Sequence, residues 1–362
     1  MLSHLYFYPV PSNLNYFWGF GSLLGILLVI QIISGILLAV HYTADIKDAF
    51  YSVEFIMRNV EGGWFVRYMH SSGASLLFIT LYSHMLRSIY YRTFRNTATW
   101  FTGLVLFLLM MATSFLGYTT VWGSMSLWGA TVITNLFGAI PIIGENLVIL
   151  LWGGFSVDNA TLKRFFILHF LIPFIIAVVS LLHIIYLHKN GSSNPIGVDA
   201  IDLLYFYPKY VIKDTFGFFI FYGFSFISLV FYYPNVLGHP DNYIIADALI
   251  TPKHITPEWY FEPFYAILRS IPNKLGGVIV MGLALLILAY LPIIDFTVTT
   301  TKFSTFSQFF FWFFVGNFMC LGWLGTCPIE DPYITWSRIA TLLYFAYLAI
   351  MLPMLAYIEK LL

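Results

Sequence analysis

Four histidines carry the clearest chemical signal in the chain. His70 and His84 are 14 residues apart, as are His169 and His183, and each pair lies within a long apolar stretch. On an α-helix, 14 residues turn through about 1,400°, within roughly 40° of four full turns, and rise ~21 Å. Both histidines of a pair therefore face the same way, one near each surface of a bilayer about 30 Å thick. Because a polar ring in lipid is costly without a purpose, the two helices predict sites for two planar metal cofactors stacked across a membrane.

The composition is that of a membrane protein. Of the 362 residues, 60% are hydrophobic, 20% aromatic and only 9% charged, whereas a soluble domain carries about 25% charged residues. The net charge of zero gives neither a basic surface for nucleic acid nor an acidic tail. The two cysteines form no C-x-x-C-H sequence and no cluster suited to iron–sulfur or zinc. The lysines and arginines divide almost evenly between the two predicted sides, so charge alone does not decide sidedness.

The hydrophobic pattern predicts an all-α polytopic membrane protein with eight spans. The first four spans form a bundle around the two cofactors, which suggests one unit over residues 1–200 and a second over 201–362. Ser124–Leu136 and Gly144–Leu151 are predicted as short interfacial helices. The proline-punctuated connection 234–274 is long enough to be functional. The predicted spans are 17–41, 64–91, 99–120, 159–187, 205–233, 275–296, 306–326 and 336–359.

The interval of 14 recurs in glycines of the first and third spans. Gly21 and Gly35 share it, and so do Gly103 and Gly117. A missing side chain at the height of each cofactor would let the cofactor lie flat against the helix, as in a four-helix bundle around cofactors. Close helix packing also explains a single glycine in a membrane helix, and the sequence leaves both explanations open.

Two axial imidazoles leave a metal no open position, which suits one-electron transfer, and low-spin haem is the obvious occupant. Arg67 and Arg87 each lie one helical turn from a histidine and could bind haem propionates. Arginines that snorkel at helix ends would look the same. Trp18 and Trp100 are either further propionate donors or interface-belt aromatics.

Several motifs in order resemble the family of cytochrome b, the two-haem quinone-binding subunit of the respiratory cytochrome bc complex (complex III), mitochondrial type. The resemblance covers nearly the whole chain, and P-E-W-Y is the hallmark of the loop between the fifth and sixth spans. The motifs are R-Y-M-H at Arg67–His70, H-M-L-R at His84–Arg87, W-G-A-T-V-I-T-N-L at Trp128–Leu136, L-H-x-x-G-S at Leu187–Ser192, K-D at Lys213–Asp214 and P-E-W-Y at Pro257–Tyr260.

The resemblance implies the haem sites residue by residue. His70 and His169 would bind the low-potential b haem near the outer side, and His84 and His183 the high-potential b haem near the inner side. The glycines match the family's haem-packing glycines. Quinol would be oxidised at the outer site, and electrons would cross to quinone at the inner site, contributing to the proton gradient.

The resemblance also implies two quinone sites. Glu258 would accept a proton from quinol at the outer site, whose lining would be Tyr260, Tyr265, Tyr118, Met125, Gly129 and Phe261. His188, Ser192 and Asp214 would bracket the quinone at the inner site. Independently of the family, a carboxyl group in an apolar loop is expected to have a raised pKa through desolvation, which suits a proton acceptor.

Two positions depart from the family pattern at the outer site. Val121 stands where proline is common, and Glu262 adds a carboxylate where an apolar residue is usual. Both positions flank the predicted outer quinol site.

The resemblance further implies ubiquinone as substrate and partners in a homodimeric complex: the Rieske iron–sulfur protein, cytochrome c1 and other complex III subunits. Such a subunit is active as a quinol–cytochrome c oxidoreductase only within the complex. The first 15 residues show no targeting pattern, which favours the mitochondrial inner membrane, with a bacterial plasma membrane as the alternative.

Two other functions are alternatives to this interpretation of the sequence. The photosynthetic b-type relative has a separate short four-helix chain and a second histidine pair one residue wider. A secondary transporter would use the histidines as a proton relay and would show broken helices and repeated halves, which are not visible in the sequence.

Overall fold

Long apolar helices dominate the fold. This computed structural model of the chain describes residues 7–294 and 300–361. In lipid, the polar groups of the backbone have to form hydrogen bonds within their own segment. A chain as apolar as this one therefore folds into helices. Seven described helices are long and apolar enough to cross a membrane, and the predicted fold class is confirmed. They are Tyr16–Ala39, Thr97–Thr120, Asn159–Asn190, Lys209–Tyr232, Lys274–Ile293, Thr305–Thr326 and Tyr333–Leu361.

Residues up to 200 form the helices that carry the four histidines. The helices are α1 Phe20–Ala39, α2 Ala49–Asn59, α3 Gly63–Tyr90, α4 Thr97–Thr120, α5 Ser124–Asn135, α6 Gly144–Trp152 and α7 Asn159–Asn190. The two short helices predicted between the third and fourth spans are present as α5 and α6, and their interfacial position stays a prediction. α1 packs along α3, and α4 packs along α7.

The predicted span that is not among these seven is 64–91, which corresponds to α3; this helix has 28 residues and at 1.5 Å per residue is about 42 Å long. Its length suffices to span a bilayer. Two arginines, two histidines and several serines make it less apolar than the other seven. The count of eight spans therefore stays a prediction.

The second part of the chain packs mainly against α3 and α4. A buried aromatic and aliphatic cluster contains Phe78 and Phe107 together with Phe264, Phe314 and Tyr344, so the core crosses residue 200. The suggested division into 1–200 and 201–362 stays a prediction. The helices are α8 Lys209–Ile227, extended by a π-helical turn Ser228–Tyr232, α9 Glu262–Arg269, α10 Lys274–Ile294, α11 Thr305–Thr326, α12 Tyr333–Ala346, extended by Tyr347–Met351, and α13 Leu352–Leu361.

A cap sets the depth of the histidines on α7. Asp158 accepts the backbone N–H of Asn159 at 2.8 Å, and its own N–H donates to Thr161 at 3.2 Å, which forms a capping box. The helix ends at Asn190, before Gly191, whose φ of +80° is in the left-handed region. Because both ends are fixed, the two histidines of α7 lie at defined heights.

A short antiparallel ribbon joins the start of the chain to the segment before α8. β1 (Pro9–Pro11) pairs with β2 (Leu203–Tyr205). Below the ribbon, the Tyr210 hydroxyl donates to Pro11 O at 2.6 Å, and Lys213 Nζ donates to Leu14 O at 2.7 Å. The first residues of the described chain are therefore held against the start of α8.

The long connection 234–274 is held against the start of α5. The Ser124 N–H donates to Ile244 O at 2.8 Å, and Asn242 Oδ1 accepts the Ser126 N–H at 2.9 Å. Farther along, Trp259 Nε1 donates to Ser75 Oγ on α3 at 3.1 Å. These bonds place the P-E-W-Y segment beside the bundle.

Candidate functional site

The structure brings the histidines together in the two pairs that the parallel course of α3 and α7 predicts. The ring centroids of His70 and His169 are 6.1 Å apart, and those of His84 and His183 are 6.4 Å apart. Two metal–nitrogen bonds of about 2.0 Å, plus ~1.1 Å from each nitrogen to its ring centre, give roughly 6.2 Å. The centroid distance in each pair is therefore that of two imidazoles that share one metal.

Hydrogen bonds fix the tautomer of His70 and His183. The Ser34 hydroxyl donates to Ile30 O at 2.7 Å, so it accepts from His70 Nδ1, which lies 2.9 Å away. On α4, Thr102 Oγ1 donates one turn back, to Ala98 O at 2.9 Å, and lies 3.0 Å from His183 Nδ1. Both Nδ1 atoms are thus protonated, and the Nε2 lone pair is free for a metal.

The other two histidines differ from each other. His169 Nδ1 donates to Thr113 O at 2.8 Å, which gives the same metal-ready tautomer. Next to His84 Nδ1 lies Arg87 Nη2, at 3.3 Å, and an arginine only donates. In the protein without haem, Arg87 therefore donates to His84 Nδ1. Arg87 is also one of the two arginines that are predicted to bind a haem propionate.

Each of the four glycines faces the histidine of a neighbouring helix. A Cβ built on Gly35 would lie 3.1 Å from His70 Cε1, and one on Gly103 would lie 3.3 Å from His183 Cε1. The same atom of His84 would be 3.5 Å from a Cβ on Gly21, and His169 would be closer still to one on Gly117. The glycines therefore open space beside the imidazoles themselves, which agrees with a cofactor cradle at both heights.

Buried polar atoms without partners lie beside the histidine pairs, as an absent anionic cofactor would leave them. Arg87 Nε and Trp18 Nε1 have no hydrogen-bond partner among the described residues, and the Arg87 guanidinium lies 5.2 Å from the Trp18 ring centroid. Buried donors are normally satisfied. These residues therefore fit a haem whose propionates reach the Arg87 end of α3.

Trp100 has a different contact. Its Nε1 donates to Leu288 O at 2.8 Å, and the side chain is buried. This bond ties α4 to α10. It engages the only hydrogen-bond donor of the indole, so Trp100 has no side-chain donor left for a propionate.

A cavity of about 550 Å³ opens at the His70–His169 end of the bundle. Glu258, Tyr118 and Tyr260 line it together with both histidines. Tyr260 stacks on Phe78, with ring centroids 4.0 Å apart and planes within 2°, which fixes one wall. Arg67 and Val121 also line the cavity, so the first departure from the family pattern lies inside it.

Burial raises the pKa of Glu258 to about 7, while the charge of Arg67 and a hydrogen bond from Tyr118 act against this rise. At neutral pH the carboxyl group is therefore close to half ionised. A group with this pKa can both accept and release a proton at neutral pH.

Glu262 lies elsewhere. Its side chain is 2% exposed, it is not part of the cavity wall, and it packs against Gly325 of α11. Burial raises its pKa to about 8, opposed by Arg269, while the charge of Glu258 raises it further. The second carboxyl group therefore lies outside the cavity wall and is held in an apolar surrounding.

Four predicted lining residues are not part of the cavity wall: Met125, Gly129, Phe261 and Tyr265. Met125 is completely buried, and the Tyr265 hydroxyl donates to Ile255 O at 3.2 Å.

At the opposite end of the bundle, Asp214 lies beside the His84 height. Ser22 Oγ is 2.6 Å from Asp214 Oδ2 and directly follows Gly21 in the chain. His188, near the end of α7, stacks on Tyr8 with ring centroids 4.0 Å apart, and Ser192 lies beside the Tyr8 hydroxyl. The N-terminal ribbon thus contacts the residues predicted for the inner site.

Sequence reasoning missed the hydroxyl residues at these sites. Ser34 precedes Gly35, Thr102 precedes Gly103 and Ser22 follows Gly21. A hydroxyl beside each of these glycines was visible in the sequence, but its partner depends on how the helices pack.

Comparison with known proteins agrees with this geometry. Residues 5–191 match the family described as Cytochrome b/b6/petB, and residues 245–345 match Cytochrome b(C-terminal)/b6/petD. The chain belongs to the cytochrome b family. The family gives it its general function, electron transfer through b-type haem as a membrane subunit of a cytochrome bc complex.

Relatives called cytochrome b come from plants and bacteria. The protein of Marchantia polymorpha is 53% identical over 96% of this chain and 87% of its own length. That of Rhodospirillum rubrum is 52% identical over 98% of this chain and 88% of its own. A solved structure described as hyperthermophilic respiratory Complex III matches with a TM-score of 0.93 and 31% identity, over 98% of this chain and 95% of that one.

The histidine pairs give a first prediction. His84→Ala should remove one b haem and leave the other in place, because the His70–His169 site keeps both ligands. The spectrum of the reduced, purified protein should lose about half of its b-type absorbance. His41→Ala, which alters an exposed histidine, is the control. Two spectrally unaltered haems in the His84 variant would refute the ligand assignment.

The glycines give a second prediction. Gly35→Val should impair haem incorporation at the His70 end, because the added methyl groups overlap the imidazole, and overpacking costs about 1–3 kcal/mol even in ordinary cores. Gly25→Val is matched to it, since a Cβ on Gly25 of the same helix meets nothing within 4 Å. Haem content per protein is the measurement, and equal content in the two variants would favour plain helix packing for Gly35.

Proposed function

We propose that the chain is the two-haem, quinone-handling subunit of a quinol–cytochrome c oxidoreductase. His70 and His169 bind the low-potential haem, and His84 and His183 bind the high-potential haem. When bound, the two haems supply a one-electron path from an outer quinol site to an inner quinone site. The division into a haem-binding unit, 1–200, and a second unit with the P-E-W-Y loop, 201–362, belongs to the same proposal.

One observation carries this proposal: both histidine pairs have the spacing of a shared metal, at two heights of one four-helix bundle. Three of the four imidazoles are held in the tautomer that leaves Nε2 free. The glycines and the unpartnered donors of Trp18 and Arg87 agree with a large planar anion.

At the outer site, Glu258 is the proposed proton acceptor for quinol. The carboxyl group lines the cavity with Tyr118 and Tyr260, and Tyr118 lowers the pKa of Glu258 against the effect of burial. Arg67 favours the ionised form, which is the form that can take a proton. Apolar walls exclude water, so that the proton leaves through a defined group.

At the inner site, His188, Ser192 and Asp214 are proposed to bracket the quinone. Asp214 exchanges protons at one end, and Ser22, 2.6 Å from it, orients the carboxylate. His188 hydrogen-bonds the quinone at the other end, with its ring plane set by Tyr8.

The proposal extends to the assembly. The substrate is ubiquinol/ubiquinone, and the partners are the Rieske iron–sulfur protein, cytochrome c1 and other complex III subunits in a homodimeric complex. The membrane is the mitochondrial inner membrane, with a bacterial plasma membrane as the alternative, since the relatives include both plant and bacterial proteins.

Glu258→Gln should slow quinol oxidation by about 100-fold or more, the lower end of the range for a general base, with both haems retained. In the parent, the rate should rise as the pH passes through about 7, because only the ionised carboxylate accepts a proton and burial sets its pKa there. The amide should abolish this rise. Turnover against pH in the assembled complex is the measurement.

Glu262→Gln is the control for this prediction, since Glu262 is buried outside the cavity. It should change the rate less than twofold. A loss confined to Glu262→Gln, with Glu258→Gln unaffected, would show that this chain has moved the proton acceptor.

Asp214→Asn should slow quinone turnover at the inner site more than quinol oxidation at the outer site, because it keeps the shape and removes a proton-exchanging group. Haem reduction through each site, with the other site blocked, separates the two reactions. Asp202→Asn, which alters an exposed carboxylate near the ribbon, should be silent. Equal slowing at both sites would refute the assignment of Asp214.

A further inference from the structure

Tyr8 lies on the His188 imidazole. The two ring centroids are 4.0 Å apart and the planes differ by 24°. The position of Tyr8 is set by backbone bonds, since Phe206 N–H donates to Tyr8 O at 2.9 Å and the next residue, Pro9, pairs with Tyr205. The backbone bonds of the ribbon therefore hold Tyr8 against His188.

The ribbon itself is fixed to the start of the helix that carries Asp214. Tyr210 and Lys213 of α8 donate to Pro11 O and Leu14 O. Lys213 directly precedes Asp214, so the same contacts that place Tyr8 on His188 also set the start of α8. The three side chains are parts of one arrangement.

The Tyr8 hydroxyl is buried in the part of the chain that the structure describes. The oxygen is buried and makes no hydrogen bond to any residue that the structure describes. Ser192 faces the phenol, but not with the geometry of a hydrogen bond. A buried hydroxyl without a partner is costly, and here it lies among the residues assigned to the quinone.

Packing alone does not require this hydroxyl. A phenylalanine at position 8 would cover His188 equally well, and would bury no orphan donor. The phenol also stays protonated at neutral pH, since its ordinary pKa is about 10 and burial raises the pKa of Tyr8, opposed by Ser192. Tyr8 is therefore a permanent donor.

We propose that Tyr8 is a substrate-binding residue of the inner site, whose hydroxyl donates a hydrogen bond to a quinone carbonyl while its ring positions His188. This inference rests on the proposed inner site. Tyr8 transfers no proton, because Asp214 has that role. It adds a neutral donor at the His188 end and makes binding at this site stronger.

The test is Tyr8→Phe in the complete complex, with Tyr205→Phe as the matched control. Tyr205 is an exposed tyrosine, opposite Pro9 in the same ribbon. Tyr8→Phe should raise the inner-site KM for quinone roughly five- to tenfold, the loss of about one hydrogen bond, and reduce the quinone retained on purification. The kcat at the inner site and quinol oxidation at the outer site should stay unchanged, and Tyr205→Phe should behave like the parent.

Tyr8→Leu removes the ring as well and should lower the inner-site kcat in addition, because His188 loses its stacked neighbour. Haem content confirms that each variant complex is assembled. If Asp214→Asn slows the inner site but Tyr8→Phe leaves KM and retained quinone unchanged, the role of Tyr8 is refuted and the inner site stands. If neither variant affects the inner site, the proposed site itself is wrong, and the inference about Tyr8 falls with it.

Discussion

An imidazole inside an apolar bundle has two nitrogens to satisfy, and this constraint organises the rest of the structure. At His70, His169 and His183 the protein satisfies Nδ1 with a hydroxyl or a carbonyl oxygen. The Nε2 lone pair of these three rings stays free, and the 6.1–6.4 Å between the ring centroids of each pair is the spacing of two imidazoles that share one metal. The glycines on α1 and α4 keep the neighbouring helices close enough for these bonds without filling the space. Haem binding and bundle stability thus depend on the same contacts.

The two ends of the bundle solve different problems. The outer end places a carboxyl group among apolar and aromatic walls, where burial holds its pKa near neutrality. The inner end is closed by a ribbon from the start of the chain, and its carboxylate is bonded to a serine. The proposed quinol site and the proposed quinone site therefore differ in the surroundings of their carboxyl groups.

The sequence predicted the helices, the pairing of the histidines and the cradle glycines, because each depends on spacing along one helix and on the direction of neighbouring spans. It predicted Glu258 and Tyr260 in the cavity through their motif. It did not distinguish Trp18 from Trp100, because only packing shows that the Trp100 indole bonds Leu288 O. Likewise it placed Glu262 at the outer site, whereas the turn of α9 directs this side chain towards Gly325. Contacts between segments that are far apart in the chain, such as the stacking of Tyr8 on His188, follow no periodic pattern. The sequence therefore did not predict them.

The ribbon has a consequence for biogenesis. A chain synthesised from its N-terminus folds its early parts first, and α1, α3, α4 and α7 are all complete once residue 190 has been made. β1 precedes the helices of the bundle in the chain, but its partner strand, residues 203–205, follows them, and the loop with Glu258 comes later still. The four histidines are therefore all present before the residues proposed for either quinone site are complete. In the proposed function, a chain synthesised only as far as residue 190 would hold the haem ligands and would lack Asp214 and Glu258.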